Sequence, residues 1–169
     1  MENSNDEHPT DVHLQVGDIA PDFVLPSTKD EDIHLNDLLD NNVVLVFFTD
    51  TFTLISTGLA NSFLKLHESL SNLGVTFIGI ATEPLSAMKT FIEDQNIPFL
   101  MVSDFDRTVS KAYRVYADEI GSLKCVARPS IIVIDRDARI DYIWIREDDD
   151  TIFPDVELIA ERIIRSKLE

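Results

Sequence analysis

At 169 residues and 44% hydrophobic content, the chain is long enough for one domain with a real core. Its net charge of −17 repels phosphate backbones and anionic lipid headgroups, which argues against nucleic-acid and membrane partners; the ordinary role of such a surface is solubility. No run reaches the length needed to cross a bilayer, and the single cysteine, Cys125, excludes an internal disulfide.

Residues 1–15 read as a flexible acidic tail with no apolar core, so they are not a secretory signal and the expected location is cytoplasmic. Residues 16–169 read as a single domain. Phe23 to Pro26 and Asp32 to Leu35 flank a polar turn and predict a short hairpin. Asn36 is placed to cap a short helix over Asp37 to Asp40. Val43 to Phe48 is a continuous apolar run, the pattern of a strand buried on both faces. After the polar turn Thr49-Asp50-Thr51 comes a helical stripe of Leu59, Phe63, Leu66, Leu70 and Leu73, closed by Gly74 at a left-handed cap.

Val75 to Ala81 predicts a second buried strand. Thr82 and Pro84 open a helix with Met88, Phe91 and Ile92 inward. Phe99 to Val102 predicts another strand. Asp106 is placed to cap a helix with Val109, Ala112 and Tyr113 inward, and Tyr116 to Lys124 reads as polar and irregular. Ser130 to Ile134 and Ile140 to Ile145 predict a hairpin. Pro154 opens a last helix with Val156, Ile159, Ile163 and Ile164 along one side. The order of elements implies an α/β fold, a mixed central sheet with helices on both faces.

This reading puts Ser56 in the first turn of a long helix, just beyond the carboxyl end of a buried strand, where open α/β sheets place their sites. A helix amino terminus favours an anion, and reactive thiolates are often put there. The segment resembles the active-site loop of the peroxiredoxins, the alkyl hydroperoxide reductase C and thiol-specific antioxidant family, most nearly its bacterioferritin-comigratory type. In that motif a proline, a threonine and the peroxidatic cysteine stand where this chain has Thr49, Thr53 and Ser56. Val16 to Phe23, Ser103 to Tyr113 and Arg128 to Asp135 are similar to further family segments, the last to the strand that carries the family's active-site arginine. The resemblance implies a thioredoxin fold of the peroxiredoxin type, and a thiol peroxidase site at Ser56, Thr53 and Arg128.

A thiol peroxidase needs a thiolate to attack the peroxide, donors to polarise it, and a thiol to reduce the sulfenic acid. Arg128 and Thr53 are suitable donors, although an arginine can equally serve a surface ion pair and a threonine a helix cap. Ser56 has no sulfur, and its hydroxyl is protonated near neutrality with no base beside it in sequence. A hydrolytic serine lacks its G-x-S-x-G elbow here. Leu59 stands where the family often has Glu, and Asn61 where the bacterioferritin-comigratory type has its resolving cysteine. Together with Thr49, these departures favour natural divergence over one engineered Cys-to-Ser change.

Cys125 is the one sulfur nucleophile left, and the alternative to reactivity is a small, partly buried hydrophobe. His8, His13, His34 and His67 have no metal-ligand spacing, Asp148-Asp149-Asp150 reads as a solvated loop, and no cofactor is expected. Three readings result. The first is a peroxiredoxin-like binding or structural module without peroxidase chemistry. The second is a thiol oxidoreductase acting through Cys125. The third is a peroxiredoxin carrying an engineered serine. The expected assembly is a monomer or homodimer, since no long arm follows the last helix, with a protein partner left unidentified.

Overall fold

The computed structural model describes residues 14–147 and 153–169, so most of the predicted tail and the Asp148-Asp149-Asp150 triplet lie outside the described residues. The fold is built on one strand. β3 (Val43–Phe47) has all five residues buried, with zero exposure at each. Beside it lie β4 (Thr76–Ala81), parallel, and β8 (Ser130–Ile134), antiparallel. β5 (Met101–Ser103) extends the sheet past β4, and β9 (Ile140–Ile145) past β8. The spatial order is β5-β4-β3-β8-β9, a mixed five-stranded sheet.

Period-two alternation gives each face of the sheet its own core. Val44, Val46 and Phe48 pack with α1 (Leu54–Leu70), α2 (Leu85–Gln95) and α4 (Val156–Leu168), through Phe63, Phe91 and Ile159 among others. Val43, Leu45 and Phe47 pack on the opposite face, against α3 (Thr108–Ala112), a 3-10 turn over Leu35–Leu38 and the hairpin β1 (Val24–Pro26)–β2 (Asp32–His34). Tyr113 anchors that second core, with its ring buried beside Phe47 and its hydroxyl donating to the Pro21 carbonyl at 2.7 Å. Helices therefore cover both faces, as expected. Among the described residues, no helix is long and apolar enough to cross a membrane.

Several local expectations need correction. The stretch after Tyr116 is a second hairpin, β6 (Tyr116–Ile120) and β7 (Leu123–Ala127), joined by Gly121-Ser122 with Gly121 at φ +59°. A glycine with positive φ at the first loop position suits a two-residue hairpin turn. Asn36 caps nothing; its amide donates to Asp22 instead, at 2.8 Å. Asp106 does not cap α3 either. The fully buried Asp104 does, accepting from Val109 N at 3.1 Å, Ser110 N at 2.7 Å and Ser110 Oγ at 2.6 Å. Ala112 is exposed, and Ser110 takes the inward place. Leu73 and Ile164 are exposed as well. The strand predicted over Phe99 to Val102 is shifted to Met101–Ser103. Gly74 does hold the left-handed cap, at φ +67°.

Two glycines should respond differently to alanine. A Cβ at Gly79 would lie 2.7 Å from Met101 Cγ and 3.3 Å from Phe48 Cε2, both in fully buried side chains. Gly79→Ala should cost about 1–3 kcal/mol through overpacking. At Gly58 the obstacle is the Phe153 ring, 2.5 Å away but on a 44% exposed side chain that can swing out. The helix-propensity gain of about 1 kcal/mol then offsets the lost contact, leaving Gly58→Ala near neutral. Urea midpoints of the two variants at unchanged m-value check the contrast.

Candidate functional site

The ladder of β3 continues into the loop with one more bond, Phe48 N to Ile80 O at 2.8 Å. The chain then turns through residues 49–53 into α1, and acidic side chains pin that turn from two sides. Asp50 Oδ1 accepts from both Phe52 N and Thr53 N at 2.9 Å. Glu83 reaches over from the connection between β4 and α2, and its Oε2 accepts from Thr51 N at 3.0 Å. Burial pushes the Glu83 carboxyl above the ordinary range; hydrogen bonding from Thr51 opposes the rise, and the nearby Asp50 charge adds to it.

Thr53 is the N-cap of α1, with extended backbone at φ −84° and ψ 156°. Its Oγ1 accepts from Ser56 N at 3.2 Å, and its hydroxyl donates to Ser56 Oγ at 3.1 Å. Both readings of Thr53 therefore meet in one side chain: it caps the helix and it lines a cavity. Ser56 is 1% exposed and hydrogen-bonded to Thr53, but it is not itself among the residues that line the cavity.

The cavity has a volume of about 390 Å³. Thr49, Asp50, Thr53 and Ile55 line it from the loop and the start of α1, Ile120 and Leu123 from the β6–β7 hairpin, and Arg128, Pro129 and Arg146 from the ends of β8 and β9. Arg128 stands between β7 and β8, with its N–H donating to Val115 O at 2.7 Å and its carbonyl accepting from Ser130 Oγ at 2.7 Å. The Arg128–Pro129 bond is trans, like every described peptide bond. Thr53 and Arg128 thus line one cavity, and Ser56 is joined to Thr53.

Cys125 is not part of that lining. It is exposed, not partly buried, and sits in β7 at φ +55°. Arg107 Nε donates to its carbonyl at 3.0 Å. The neighbouring Cys125 and Asp118 side chains push the Tyr116 phenol up to about 12.

Sequence reasoning missed Arg146, Ile120 and Leu123. Arg146 was harder to place: pairing Ile134 with Ile140 and counting outward sets Ser130 against Trp144, whereas a register shift between Val133 and Ile134 sets it against Ile145, and Arg146 N donates to Pro129 O at 2.9 Å. Ile120 and Leu123 flank Gly121-Ser122, a turn signal that two consecutive acidic residues, Asp118 and Glu119, disguise.

The AhpC/TSA family model matches residues 16–143. The chain belongs to that family, the peroxiredoxins. As a peroxiredoxin it is 32% identical over 135 residues to the putative peroxiredoxin bcp of Coxiella burnetii, a match covering 79% of this chain and 89% of the relative. With peroxiredoxin Bcp of Escherichia coli K12 it shares 27% identity over 133 residues, 78% of this chain and 85% of the other. Among solved structures, peroxidoxin BcpB from Mycobacterium tuberculosis superposes with a TM-score of 0.75 at 26% identity, covering 91% of this chain and 98% of that one. The resemblance read from the loop motif is thus a family membership, and the fold is the peroxiredoxin version of the thioredoxin fold.

The raised Glu83 pKa gives a pH signature with a fixed sign. A carboxyl whose folded pKa exceeds its unfolded one binds more protons when folded, so its contribution falls as pH rises from the ordinary glutamate range through the raised value. Glu83→Gln keeps an acceptor for Thr51 N and removes the charge. The melting temperature of Glu83→Gln relative to wild type should therefore be higher at pH 7.5 than at pH 5 (about neutral and mildly acid). A constant difference across that range would mean that Glu83 titrates normally.

Proposed function

We propose that this peroxiredoxin-family protein has no peroxidase activity and serves as a binding module built on the family's fold, with Ser56 occupying the position of the peroxidatic cysteine. The observation that carries this reading is the state of Ser56. Its Oγ is buried and accepts the Thr53 hydroxyl at 3.1 Å, and its N–H is spent on the Thr53 cap. A serine hydroxyl is not ionised at neutral pH, and the hydrogen bonds given to it come from a neutral neighbour, not from a base that would activate it. Oxygen also cannot follow a cysteine from thiolate to sulfenic acid. Arg128 and Thr53 then act as ligand-binding groups. The hydrophobic cores on both faces of the sheet support retention of the fold for that purpose.

A second reading, a thiol oxidoreductase acting through Cys125, draws on the exposure of that thiol and its contact with Tyr116. Its place outside the cavity lining favours the first reading. Hydrogen peroxide with a dithiol reductant separates the two. The expected result is consumption at the background rate, with no oxidised mass on Cys125 beyond that of a free cysteine; turnover abolished by Cys125→Ala would establish the second.

Restoring the sulfur tests whether Ser56 holds the peroxidatic position. In a Cys125→Ala background, Ser56→Cys sets a thiol in the first turn of α1, held by the Thr53 cap. Its pKa should fall below about 8.5, the value for an unperturbed cysteine. Reaction with peroxide and a sulfenic-acid trap should be faster than for free cysteine, yet slow compared with a competent peroxidase, because near-attack geometry is sensitive to shifts of about 1 Å. An ordinary thiol pKa together with uncatalysed trapping would remove Ser56 from that position.

A further inference from the structure

The five-stranded sheet ends in β5 on one side and β9 on the other. The β5 edge is covered. Thr28 N donates to Met101 O at 2.9 Å, Met101 N donates to Thr28 Oγ1 at 3.2 Å, and Ser27 bridges to Val102. The cover of β9 is short. Ile19 bridges to Arg139, Gly17 N donates to Ile140 O at 2.7 Å and Ile140 N donates to Asp18 O at 2.9 Å; the turn over residues 15–18 then ends it. Among the described residues, no strand lies along β9 beyond Ile140 on that side. Arg146 N donates inward to Pro129 O, and antiparallel ladders alternate, so Ile145 and Ile143 turn their N–H and C=O groups to the open side. Such an edge is a template for another strand. Its residues Tyr142, Ile143, Trp144 and Ile145 are aromatic or β-branched, which favours such pairing further.

The same strand carries one irregularity. Val133 pairs with Tyr142 and Ile134 with Ile140, so Asp141 is an extra residue, a β-bulge. Its effect is read from the two faces. Ile140, Ile143 and Ile145 pack into one core, Tyr142 and Trp144 into the other. Strict alternation back from Ile143 would put residue 141 in the core of Ile143 and Ile145. The bulge turns Asp141 to the α4 side instead, where it lines a groove with Leu158, Arg162 and Ser166. Its carboxylate is poorly provided for there. Oδ2 is buried without a hydrogen-bond partner, while the residue as a whole is half-exposed. Burial pushes the carboxyl above the ordinary range; the Arg162 charge opposes the rise, and Asp135 and Glu169 add to it. Among the described residues, Asp141 forms no ion pair. The charge therefore relies on water.

We infer that Asp141 and its bulge guard the open edge of β9 and keep it from pairing with a second copy of this chain. The bulge breaks the even spacing of the outward groups. The carboxylate adds a desolvation penalty, because a strand laid along β9 strips water from a charge that has no partner to replace it. The excluded partner is a second copy because antiparallel pairing of one strand with its own image is two-fold symmetric, so both edges would offer the same open groups. The guard operates whether or not the cavity binds a ligand.

Removing Asp141 outright gives the main test. Ile140, Tyr142, Ile143, Trp144 and Ile145 then alternate strictly, each on its present face, so the cores are kept while bulge and charge go. Amide hydrogen exchange, followed by NMR on the full chain, reads the edge directly. In the wild type the Ile143 and Ile145 amides should exchange fast, at a rate independent of protein concentration, while the inward Tyr142 and Trp144 amides are protected. In the deletion variant, protection of Ile143 and Ile145 should rise at least about tenfold from dilute to concentrated protein, with a matching rise in sedimentation mass. Asp141→Thr keeps the bulge and removes the charge, so it should show a smaller rise of the same kind. Circular dichroism confirms the fold of both, and if the deletion variant does not fold, Asp141→Thr decides. Protected Ile143 and Ile145 amides in the wild type, or variant edges as open as the wild-type edge at every concentration, would overturn the assignment. Reading these two amides separates the β9 edge from association through any other face.

Discussion

The double burial of β3 is the constraint on which the rest depends. Each of its residues from Val43 to Phe47 is wholly enclosed, alternately by the cores on the two faces of the sheet. A slip of one residue would exchange the two sets of side chains between cores of different shape, so the register is fixed. The register in turn fixes where three strands end. Phe47 pairs with Ser130, and Ser130 with Ile145, so β3 leaves the sheet, β8 enters it and β9 leaves it on one row. Thr49, Arg128 and Arg146 lie just past that row, on separate stretches of chain. Their convergence on one cavity follows from strand pairing and needs no contact among them.

That dependence explains what could be read from the residues alone. Val43 to Phe48 is unambiguous because burial on both faces leaves no polar position, and Val75 to Ala81 has only Thr76 as a polar residue, at its half-buried start. The α1 stripe is legible through Leu70 and fails at Leu73, because the chain passes there into a 3-10 turn, whose tighter winding carries the side chain off the apolar face. α3 has only five residues, too few for periodicity to say that Ser110 and not Ala112 turns inward. The capping errors share one cause. Asn36 and Asp106 are good caps by type and position, but tertiary burial selected Asp104, whose carboxylate reaches across to the backbone of Val109 and Ser110. The hairpin of β6 and β7 was hidden because it stands apart from the main sheet, with Asp118 and Glu119 exposed and no alternation to reveal it. Of the site, the motif residues Thr53, Ser56 and Arg128 could be placed by local pattern. Arg146 required the sheet register, and the apolar wall required the hairpin.

On the proposed reading, exchanging sulfur for oxygen at Ser56 does more than delete a nucleophile. A helix amino terminus stabilises an anion by roughly 0.3–1 kcal/mol, which can shift a thiol that ionises near neutrality but cannot ionise a hydroxyl. The hydroxyl therefore stays protonated and joins the capping geometry, so Thr53 Oγ1 serves both the backbone N–H and the side chain of Ser56. The same threonine that would steady a thiolate steadies the helix start instead. Stability and a retained pocket are then compatible with lost redox chemistry, because the cap never depended on the sulfur.

The distribution of charge around the loop has the same logic. The acidic groups nearest the turn face the backbone: Asp50 binds two N–H groups of residues that follow it, and Glu83 binds the N–H of Thr51. Each bond removes acceptor capacity from the cavity and fixes the loop before any ligand arrives. Arg128 and Arg146 line the same cavity from the ends of β8 and β9 and not from the loop itself. A binding site assembled in this way loses little conformational entropy on occupation, since the loop is already ordered by its own carboxylates and the arginines spring from rigid strands.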